Sequence, residues 1–548
     1  MLRRYRAIGV DFDGTLTSEG PPSADVLASL REAREDGLRL VLVTGRILAE
    51  LSNVFPGAED CFDCIVAENG AVLARPAGLR RLAPPIPLEL DEAFRKRAVP
   101  FRRGQVLLAT VMSSAPIVWE ELSRLGLECQ IVQNRGELMV VPAGVTKGTG
   151  LAAALAELGI SPHAAVGIGD AENDHSLLNL CELGVAVANA VPSLKAHADL
   201  VLAEPAGRGV AAFLRGPLLR GEEDICSPRW LIEVGRFDDG APVCIPADGV
   251  NVLIEGATLS GKSYAAGLLA EGLLVLGYSI CVLDPEGDHM GLGGLHACMT
   301  VGGKRPLPSP EQLGDLLRST FGSLVVDLSL LPRPGRVATS ASMLDALQRE
   351  RERSGFPHWI LVDEAHVPLG AEGPACSLYR PEQKGFCLVT YQPERLCARA
   401  RQGLDVVITT VGDGHATLRE RGAPGPARPF VLGDRITGHV RHRSKYVHAE
   451  LPWDRRFYFR DPAQTTWHSA GNLEQFHHEL RRCSLAGVEH HVAGHDFSRW
   501  VDDVLQDAEL AARLREIEAE SRASGGTLPA ERLRDALRDA VQQRYRLM

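Results

Sequence analysis

The strongest constraint on the fold is a strand–helix alternation that occurs in two series along the chain. Short apolar segments such as AIGVDFD at 7–13 and LRLVLVTG at 38–45 alternate with segments that fit amphipathic helices. This order is typical of a parallel sheet with helices on both faces. A second series begins with NVLIEG at 251–256. The 548-residue chain is therefore predicted to be a multidomain α/β protein.

An insertion interrupts the first series. It contains an apolar strand at 105–112, a helix near Ala115 to Leu125 and a hairpin at 128–141, which together predict a small α/β cap. The predicted organisation is a first core at 1–71 and 143–215, the cap at 72–142, a linker and β lead-in at 216–250, a second α/β domain at 251–435 and a partly helical C-terminal segment at 436–548.

Composition narrows the classes of function. The net charge of -11 argues against a protein that coats nucleic acid in general. The most apolar stretch, at 268–283, contains Glu271 and two glycines and is shorter than the roughly 20 apolar residues of a membrane-spanning helix. The twelve cysteines are scattered and no signal peptide pattern opens the sequence. We therefore expect a cytoplasmic protein with free thiols and no membrane partner.

The first chemical motif is DFDGTL at 11–16, which places Asp11 and Asp13 at the end of a predicted strand. Aspartate can act as a nucleophile through an aspartyl-phosphate, and its attack on a phosphate dianion requires a metal ion. Asp170 and Asp174, in GDAEND at 169–174, follow another strand. Carboxylate oxygens suit Mg²⁺, so these four acids are predicted to surround one ion.

The motifs DFDGTL, LVTGR at 42–46, Lys147 and GDAEND occur in the order of the haloacid dehalogenase (HAD) phosphatase superfamily, which the first third of the chain closely resembles. AENGA at 67–71 and the position of the cap resemble the Cof-type branch, which includes phosphoglycolate and sugar-phosphate phosphatases. The resemblance implies a Rossmann-like core and Mg²⁺-dependent hydrolysis of a small phosphorylated metabolite. It implies Asp11 as nucleophile, Asp13 as general acid/base, Thr44, Gly45, Lys147 and Asn173 as phosphate-binding residues, and Asp11, Asp13, Asp170 and Asp174 as metal ligands. Arg46 stays outside this set, because an arginine there also fits a helix cap or a surface ion pair.

The second chemical motif is GATLSGKS at 256–263, which matches the phosphate-binding P-loop between a strand and a helix. Lys262 is predicted to reach the β- and γ-phosphates of ATP, and Ser263 to bind Mg²⁺. The strand in HWILVDEAH ends at Asp363 and Glu364, which suit the magnesium water shell and the activation of a water molecule. The predicted nucleotide site comprises Gly256, Ser260, Gly261, Lys262, Ser263, Tyr264, Asp363, Glu364 and Gln392.

Two further segments of this domain resemble HerA/FtsK-type ATPases: VLDPEGDH at 282–289 and FCLVTYQPERL at 386–396. In this resemblance Gln392 is the γ-phosphate sensor. The resemblance implies a P-loop NTPase domain, a ring-shaped and commonly hexameric homo-oligomer, and an arginine finger from a neighbouring subunit, for which Arg395, Arg399 and Arg401 are the candidates. A role in DNA translocation is left open.

Two other functions remain open at this stage. Polynucleotide kinase-phosphatases also join a DxDGT phosphatase to a P-loop kinase, in which case Asp284 would be the kinase base. Glu364 and the cap argue against this alternative, because Glu364 fits hydrolysis by water and the cap obstructs a polymer end. The third alternative is a DNA-pumping or defence ATPase with a HAD effector. The basic and histidine-rich segment 435–448 fits a solvated strand or loop better than a nucleic-acid contact.

Overall fold

The computed structural model describes residues 4–134, 136–223, 225, 227–320, 322–437, 447, 451, 453–460, 468–505, 507–523 and 529–545. The chain divides into two compact units. The first comprises Met1–Leu231, Gly314–Phe321 and Leu347–His358, and the second comprises Ile232–Leu313, Gly322–Ala346 and Trp359–Met548. Each unit contains its own parallel sheet, as the two series of apolar segments predict.

The first unit contains an eight-stranded sheet and a four-stranded sheet. The strands are β1 (Ala7–Asp11), β2 (Arg39–Val43), β3 (Cys64–Ala67), β4 (Val72–Arg75), β5 (Gly78–Arg81), β6 (Phe101–Arg103), β7 (Leu108–Val111), β8 (Cys129–Asn134), β9 (Glu137–Pro142), β10 (Ala165–Gly169), β11 (Leu183–Ala186) and β12 (Leu200–Val201). The helices are α1 (Ala24–Glu35), α2 (Leu48–Val54), α3 (Ala58–Cys61), α4 (Leu88–Lys96), α5 (Ala115–Leu125), α6 (Lys147–Leu158), α7 (His175–Leu180), α8 (Pro192–His197), α9 (Ala206–Leu214) and α10 (Pro217–Arg220).

The larger sheet has the order β12-β11-β10-β1-β2-β3-β4-β5, and β1 pairs in parallel with both β2 and β10. The chain passes from β1 to β2 on one side and returns to β10 on the other. The loops after β1 and β10 therefore meet at the point where the strand order reverses, which is where such sheets bind ligands. All five residues of β1 are buried, as expected for a central parallel strand covered on both faces.

The smaller sheet forms the cap, with the order β6-β7-β9-β8. One face packs on α4 and α5 through an apolar cluster that includes Phe94 and Val118. Met139 and Val141 on the other face belong to a cluster with Ile47 of the core. The predicted cap range begins at 72, but β4 pairs with β3 and β5 pairs with β4, so both strands extend the core sheet. The separate cap sheet is therefore smaller than the predicted segment.

The second unit contains an eleven-stranded sheet and a two-stranded sheet. Its strands are β13 (Leu231–Phe237), β14 (Pro242–Pro246), β15 (Asn251–Gly256), β16 (Ile280–Asp284), β17 (Cys298–Gly302), β18 (Ser323–Asp327), β19 (Trp359–Val362), β20 (Phe386–Thr390), β21 (Val406–Gly412), β22 (His415–Glu420), β23 (Arg428–Leu432), β24 (Phe457–Phe459) and β25 (His468–Ala470). The larger sheet has the order β14-β13-β23-β22-β21-β15-β20-β19-β16-β18-β17.

The seven strands from β21 to β17 in this order are parallel, and the other four form an antiparallel edge that begins with the β21–β22 hairpin. The strand before the P-loop, β15, lies between β20 and β21. The strand that ends before Asp363, β19, pairs with the opposite side of β20. The predicted nucleotide-binding segments therefore follow three adjacent strands.

The remaining helices are α11 (Lys262–Val275), α12 (Pro310–Thr320), α13 (Arg333–Ser354), α14 (Ala398–Gln402), α15 (Leu473–Arg482), α16 (Leu485–Gly494), α17 (Asp496–Trp500), α18 (Ala508–Ala523) and α19 (Ala530–Tyr545). In the described part of the C-terminal segment, α15 to α19 pack around a core that contains Phe457, Phe476 and Phe497. Most of the basic segment 435–448 lies outside the described residues. Among the described helices, none has the length and apolar character needed to cross a membrane.

A buried ion pair joins the P-loop helix α11 to the chain after β23. The side chains of Glu271 and Arg435 are 2% and 3% exposed, and Arg435 Nε donates to Glu271 Oε1 over 2.9 Å. The backbone N–H groups of Ile436 and Thr437 also donate to the Glu271 carboxylate, at 2.7 and 3.1 Å. These bonds explain why a charged residue, Glu271, lies among the apolar residues of α11. Its carboxylate holds the segment that follows β23.

We expect Glu271→Ala to lower the free energy of unfolding of the second unit by about 3–5 kcal/mol, because it leaves the Arg435 charge buried without its carboxylate. Urea unfolding measures the change. Leucine at both positions should recover much of the loss, since the charge is then removed together with its partner. Glu420→Ala, an exposed site, is the matched control, and an equal unfolding midpoint in the two alanine variants would contradict the prediction.

Candidate active sites

A buried lysine joins two of the predicted acids in the first unit. Lys147 Nζ donates to Asp11 Oδ1 at 2.7 Å and to Asp174 Oδ1 at 2.6 Å, and all three side chains are at most 4% exposed. Burial alone would lower the pKa of Lys147, but the charges of Asp11 and Asp174 outweigh it and raise that pKa. Lys147 is therefore a permanent cation at the end of β1.

A tight backbone contact sets the position of Lys147. The lysine is the first residue of α6, whose preceding Thr146 accepts the N–H of Thr149 as the helix cap. The turn at Glu68–Gly70 packs directly against this helix start. Gly70 has φ +106°, and a Cβ atom there would lie 1.9 Å from the carbonyl oxygen of Thr146. The glycine of the AENGA motif thus allows the close approach that places Lys147 over Asp11.

The other oxygen of Asp11 faces Asp170 across a threonine. Thr15 Oγ1 lies 3.1 Å from Asp11 Oδ2 and 3.1 Å from Asp170 Oδ1, and one hydroxyl hydrogen can serve only one of these oxygens at a time. Asp174 Oδ2 accepts the backbone N–H groups of Asp170 and Ala171, both at 2.9 Å. Asp174 therefore orients the loop and the lysine, while Asp11 and Asp170 present oxygens to each other.

This group of acids suits a divalent cation. Ligand oxygens of Asp11, Asp170 and Asp174 lie within 4.8 Å of one another, and all three residues are buried. Burial, followed by the charge of Asp174, raises the pKa of Asp11 well above its usual range in spite of Lys147. Three carboxylates and one ammonium leave a formal balance of −2, which one divalent ion neutralises. The hard oxygen donors fit Mg²⁺.

Asp13 does not belong to this group of carboxylates, although the sequence predicts it as a metal ligand. Its two oxygens accept a fork from Arg46, with Nε at 2.7 Å and the second nitrogen at 2.6 Å. About a third of each side chain is exposed. The hydrogen bond with Asp13 is the main reason that the pKa of Arg46 is raised. Arg46 is not among the predicted site residues, although its place in LVTGR, two positions after the predicted phosphate-binding residue Thr44, is a signal.

The predicted phosphate-binding residues lie around the same strand ends. Asp11 is in register with Val43, so Thr44 and Gly45 follow directly beside it. Thr44 Oγ1 accepts the N–H of Arg46 at 3.1 Å and keeps its own hydrogen for another acceptor. Asn173 Nδ2 donates to Asn69 Oδ1 at 3.2 Å, which connects the GDAEND loop to the AENGA turn. Thr15 and Asn69 are contributors that the sequence analysis did not name.

The phosphate-binding loop of the second unit has the backbone that the motif requires. Gly256 has φ +145°, and a Cβ atom there would lie 2.4 Å from the carbonyl oxygen of Thr410. Ser260 Oγ lies 2.5 Å from Thr410 Oγ1, so the neighbouring strand β21 supports the loop. Lys262 Nζ donates to the carbonyl oxygen of Ala257 at 2.8 Å and thereby crosses its own loop. Gly261 caps α11 at φ +98°.

A buried acidic cluster faces this loop. Ser263 Oγ donates to Asp288 Oδ2 at 2.9 Å, and His289 Nε2 lies 3.3 Å from Asp363 Oδ2. Burial alone would lower the pKa of His289, but Asp363, Asp284 and Asp288 raise it. Asp288 and His289 lie in VLDPEGDH but are not among the predicted site residues. The structure brings both to the predicted Mg²⁺ residues, Ser263 and Asp363.

Asp284 is engaged by the backbone of its own turn. Its carboxylate accepts the N–H groups of Glu286, Gly287, Asp288 and His289 at 2.7–3.3 Å. Burial is the main reason that its pKa is raised to about 6. A kinase base needs an oxygen directed at the substrate hydroxyl. Asp284 therefore shapes the turn that carries Asp288, and its role as a kinase base stays a prediction of the polynucleotide kinase alternative.

Glu364 and Gln392 lie at the ends of two paired strands. Glu364 has φ +49°, a left-handed conformation that is uncommon for this residue type and concentrates at functional sites. Its carboxylate is 3.4 Å from His366 Nδ1. Gln392 follows β20, and its Oε1 accepts from Arg395 at 2.9 Å.

Tyr264, a predicted nucleotide-binding residue of α11, has its partners in the segment after β23. Its hydroxyl donates to Gly433 O and accepts the N–H of Arg435.

Comparisons with known proteins find one family in the first unit and another mainly in the second. The haloacid dehalogenase-like hydrolase family matches residues 8–81 and 123–214. A phosphoglycolate phosphatase from Methanothermobacter thermautotrophicus is 33% identical over 220 residues, which cover 38% of this chain and 97% of the relative. The chain belongs to the haloacid dehalogenase-like hydrolase family. A phosphoglycolate phosphatase from Methanopyrus kandleri is 34% identical over 228 residues, covering 37% of this chain and 94% of the relative.

The HAD domain is fused to a second family. The central domain of helicase HerA matches residues 232–326, which include β15 and the P-loop. Among solved structures, a haloacid dehalogenase-like hydrolase from Bacteroides thetaiotaomicron is 23% identical, with a TM-score of 0.34, and the match covers 38% of this chain and 98% of that one. The haloacid dehalogenase-like match thus lies in the first unit, and the match to the HerA central domain lies mainly in the second.

We expect Asp170→Asn to raise the melting temperature of the metal-free HAD domain by about 2–6 °C, because it removes one of three clustered carboxylates. The same change should reduce the further rise that MgCl₂ produces, since a ligand has been lost. Thermal scans with and without MgCl₂ measure both effects. Glu172→Gln, in the same loop but exposed, is the control. If the two variants gain the same stability from MgCl₂, the metal assignment is wrong.

Proposed function

We propose that the HAD domain is a Mg²⁺-dependent phosphomonoesterase that acts on a small phosphorylated metabolite through an aspartyl-phosphate. The observation that carries this proposal is the environment of Asp11, whose two oxygens contact Lys147 and Thr15 within a group of three buried carboxylates. The names of the relatives make a phosphoglycolate-type ester the first substrate to test. The free thiols of the described cysteines fit the reducing cytoplasm, which we propose as its location.

Asp11 and Asp170 would hold the Mg²⁺ ion, with Asp174 orienting the loop of Asp170 through the backbone N–H groups of Asp170 and Ala171. The bound ion would supply positive charge that offsets repulsion between the Asp11 carboxylate and the phosphate. Lys147 fixes the Asp11 side chain by a hydrogen bond to Oδ1, which leaves Oδ2 beside Thr15 on the side of Asp170. Thr44, with its free hydroxyl hydrogen, donates to a phosphoryl oxygen.

The reaction then proceeds in two displacements. An oxygen of Asp11 forms a bond to phosphorus while the bond to the ester oxygen breaks, and Asp13 gives its proton to the departing alkoxide. In the second displacement Asp13 takes a proton from water as the water oxygen bonds to phosphorus. The bond between phosphorus and Asp11 breaks, which releases inorganic phosphate and restores the carboxylate.

The position of the cap restricts the proposed substrate to a small molecule. Its inner face belongs to an apolar cluster with Ile47 and Ala67 of the core, close to the strand ends that carry Thr44. The Glu68 carboxylate also accepts the backbone N–H groups of Gln105, Val106 and Leu107 at 2.7–3.1 Å, which fastens the strand connection of the cap to the core. A cap held this close favours a small ester over a polymer end.

We further propose that the HerA-like domain hydrolyses ATP and regulates or assembles the phosphatase. Lys262 would bind the phosphates, Ser263 and Asp363 would hold Mg²⁺ with its waters, and Glu364 would activate the attacking water. Gln392, at the end of the strand between β15 and β19, would contact the γ-phosphate. Assembly into a ring follows the HerA resemblance, and the residue that acts as arginine finger stays a prediction.

Asp11→Asn is expected to lower Mg²⁺-dependent phosphate release from p-nitrophenyl phosphate and 2-phosphoglycolate by at least about 1,000-fold, because the amide is not a nucleophile. Released phosphate is measured on the full-length chain. Glu19→Gln, an exposed change in the loop after the motif, is the control and should retain the wild-type rate. If Asp11→Asn and wild type hydrolyse both esters equally, the proposed function is wrong.

Glu364→Gln is expected to reduce ATP hydrolysis by about 100-fold or more while ATP binding persists, because only the activation of water is lost. Steady-state ATPase rates and nucleotide titration measure the two properties, with the exposed Glu372→Gln as control. A further variant, Lys262→Ala, tests regulation: the phosphatase rate should change on addition of ATP in wild type and stay constant in this variant. An identical response in both would contradict coupling between the two activities.

A further inference from the structure

We propose that His366 is a positioning residue that links Gln392, the predicted γ-phosphate contact, to Glu364, the predicted activator of water. One ring nitrogen of His366 binds Glu364 and Thr390 in turn, and its partner decides whether the Glu364 carboxylate can accept a proton from water. The inference rests on the proposed ATPase function and deepens it, because it names the residue that couples contact with phosphate to hydrolysis.

The backbone after β19 carries Glu364 and His366 along the end of the neighbouring strand, β20. The chain leaves the ladder for Glu364, which has φ +49°, and returns at once, because the N–H of Ala365 donates to Val389 O at 2.9 Å. The carbonyl oxygen of Glu364 accepts the N–H of Val367, also at 2.9 Å. This turn therefore keeps Glu364 and His366 beside the end of β20.

His366 Nδ1 faces two oxygen atoms. It lies 3.0 Å from Thr390 Oγ1 and 3.4 Å from Glu364 Oε2. His366 and Thr390 are 5% and 0% exposed, so bulk water has little access to this nitrogen, whereas 17% of the Glu364 side chain is exposed. A ring nitrogen has either one hydrogen or one lone pair, so Nδ1 can bond to only one of the two oxygens at a time.

The two tautomers of the neutral imidazole give two arrangements. With its hydrogen on Nδ1, His366 donates to the carboxylate of Glu364 and holds it. With the hydrogen on Nε2, the lone pair of Nδ1 accepts the hydroxyl hydrogen of Thr390, and Glu364 is released to accept a hydrogen bond from water. The imidazole stays neutral in both arrangements, so the exchange changes a hydrogen-bond partner and not a charge.

Thr390 connects this exchange to Gln392. Thr390 Oγ1 accepts the backbone N–H of Gln392 at 3.0 Å, which leaves the hydrogen of the hydroxyl for His366. Tyr391, between them in the chain, packs edge-on against the His366 ring with centroids 4.8 Å apart, and Lys262 Nζ lies 5.9 Å from the centroid of the Tyr391 ring. A movement of Gln392 on contact with phosphate therefore shifts the hydroxyl that competes with the catalytic carboxylate for His366.

The test measures steady-state ATP hydrolysis and ATP binding on full-length variants. His366→Ala is expected to lower kcat by about 10- to 100-fold, because Glu364 loses the group that orients it, while the dissociation constant of ATP stays within about threefold of wild type. Thr390→Val, which keeps the shape and loses the hydroxyl, should lower kcat by about 10-fold, and Thr390→Ser should recover most of that loss. His415→Ala, an exposed histidine of the same sheet, is the control.

The double variant is decisive. If Thr390 acts through His366, then Thr390→Val has no further effect in the His366→Ala background, and the double variant hydrolyses ATP at the rate of His366→Ala. Effects that multiply would mean that Thr390 acts without His366, and would overturn the inference. His366→Leu, which fills a similar volume without a polar atom, provides the same comparison if the alanine variant fails to fold.

Failure of the inference is distinguishable from failure of the proposed ATPase function. If Glu364→Gln abolishes hydrolysis but His366→Ala retains the wild-type kcat, the inference is overturned while the ATPase function stands. If His366→Ala weakens ATP binding as much as it lowers kcat, His366 only supports the fold of the site, and the inference is again overturned. If wild type does not hydrolyse ATP, or Glu364→Gln equals wild type, the proposed ATPase function fails and the inference fails with it.

Discussion

The HAD domain depends on one buried electrostatic contact, the ammonium of Lys147 between the carboxylates of Asp11 and Asp174. Three carboxylates cannot share a buried space without compensating positive charge. Lys147 supplies part of it, and a divalent ion would supply the rest. The lysine has to be held rigidly for this purpose, which explains why α6 begins at Lys147 and packs against the turn at Gly70. Gly70, an uncharged residue of the AENGA motif, is thus required for the position of Lys147, as the two acids are required for its charge balance.

The sequence was sufficient for the features that follow from periodicity and strand ends. The strand at 251–256 and the helix from Ala115 to Leu125 have the predicted bounds, because turn and capping residues flank them. Asp11 of DFDGTL meets Asp170 and Asp174 of GDAEND as predicted, since they follow neighbouring parallel strands, whereas Asp13 pairs with Arg46 instead. The predicted strand at 7–13 ends earlier, at Asp11, because the chain turns at Phe12, whose carbonyl oxygen accepts the N–H groups of Leu16 and Thr17.

The sequence could not supply contacts between residues far apart in the chain. The pairing of Arg46 with Asp13 depends on the direction in which the chain leaves β2, and the ion pair of Glu271 with Arg435 joins residues more than 160 positions apart. Asp284 shows a second limit of prediction from sequence. Its position after a strand predicts a catalytic carboxylate, but four backbone N–H groups of its own turn donate to that carboxylate. Side-chain identity at a strand end indicates a candidate, and hydrogen bonding decides its role.

In the proposed mechanism the Asp11 carboxylate forms a covalent bond to phosphorus during turnover. The most direct measurement is the stereochemical course at phosphorus, determined with a chiral phosphate ester that carries oxygen isotopes. Two successive in-line displacements, first by Asp11 and then by water, predict net retention of configuration. Net inversion would mean that water attacks the ester directly, and would contradict the account.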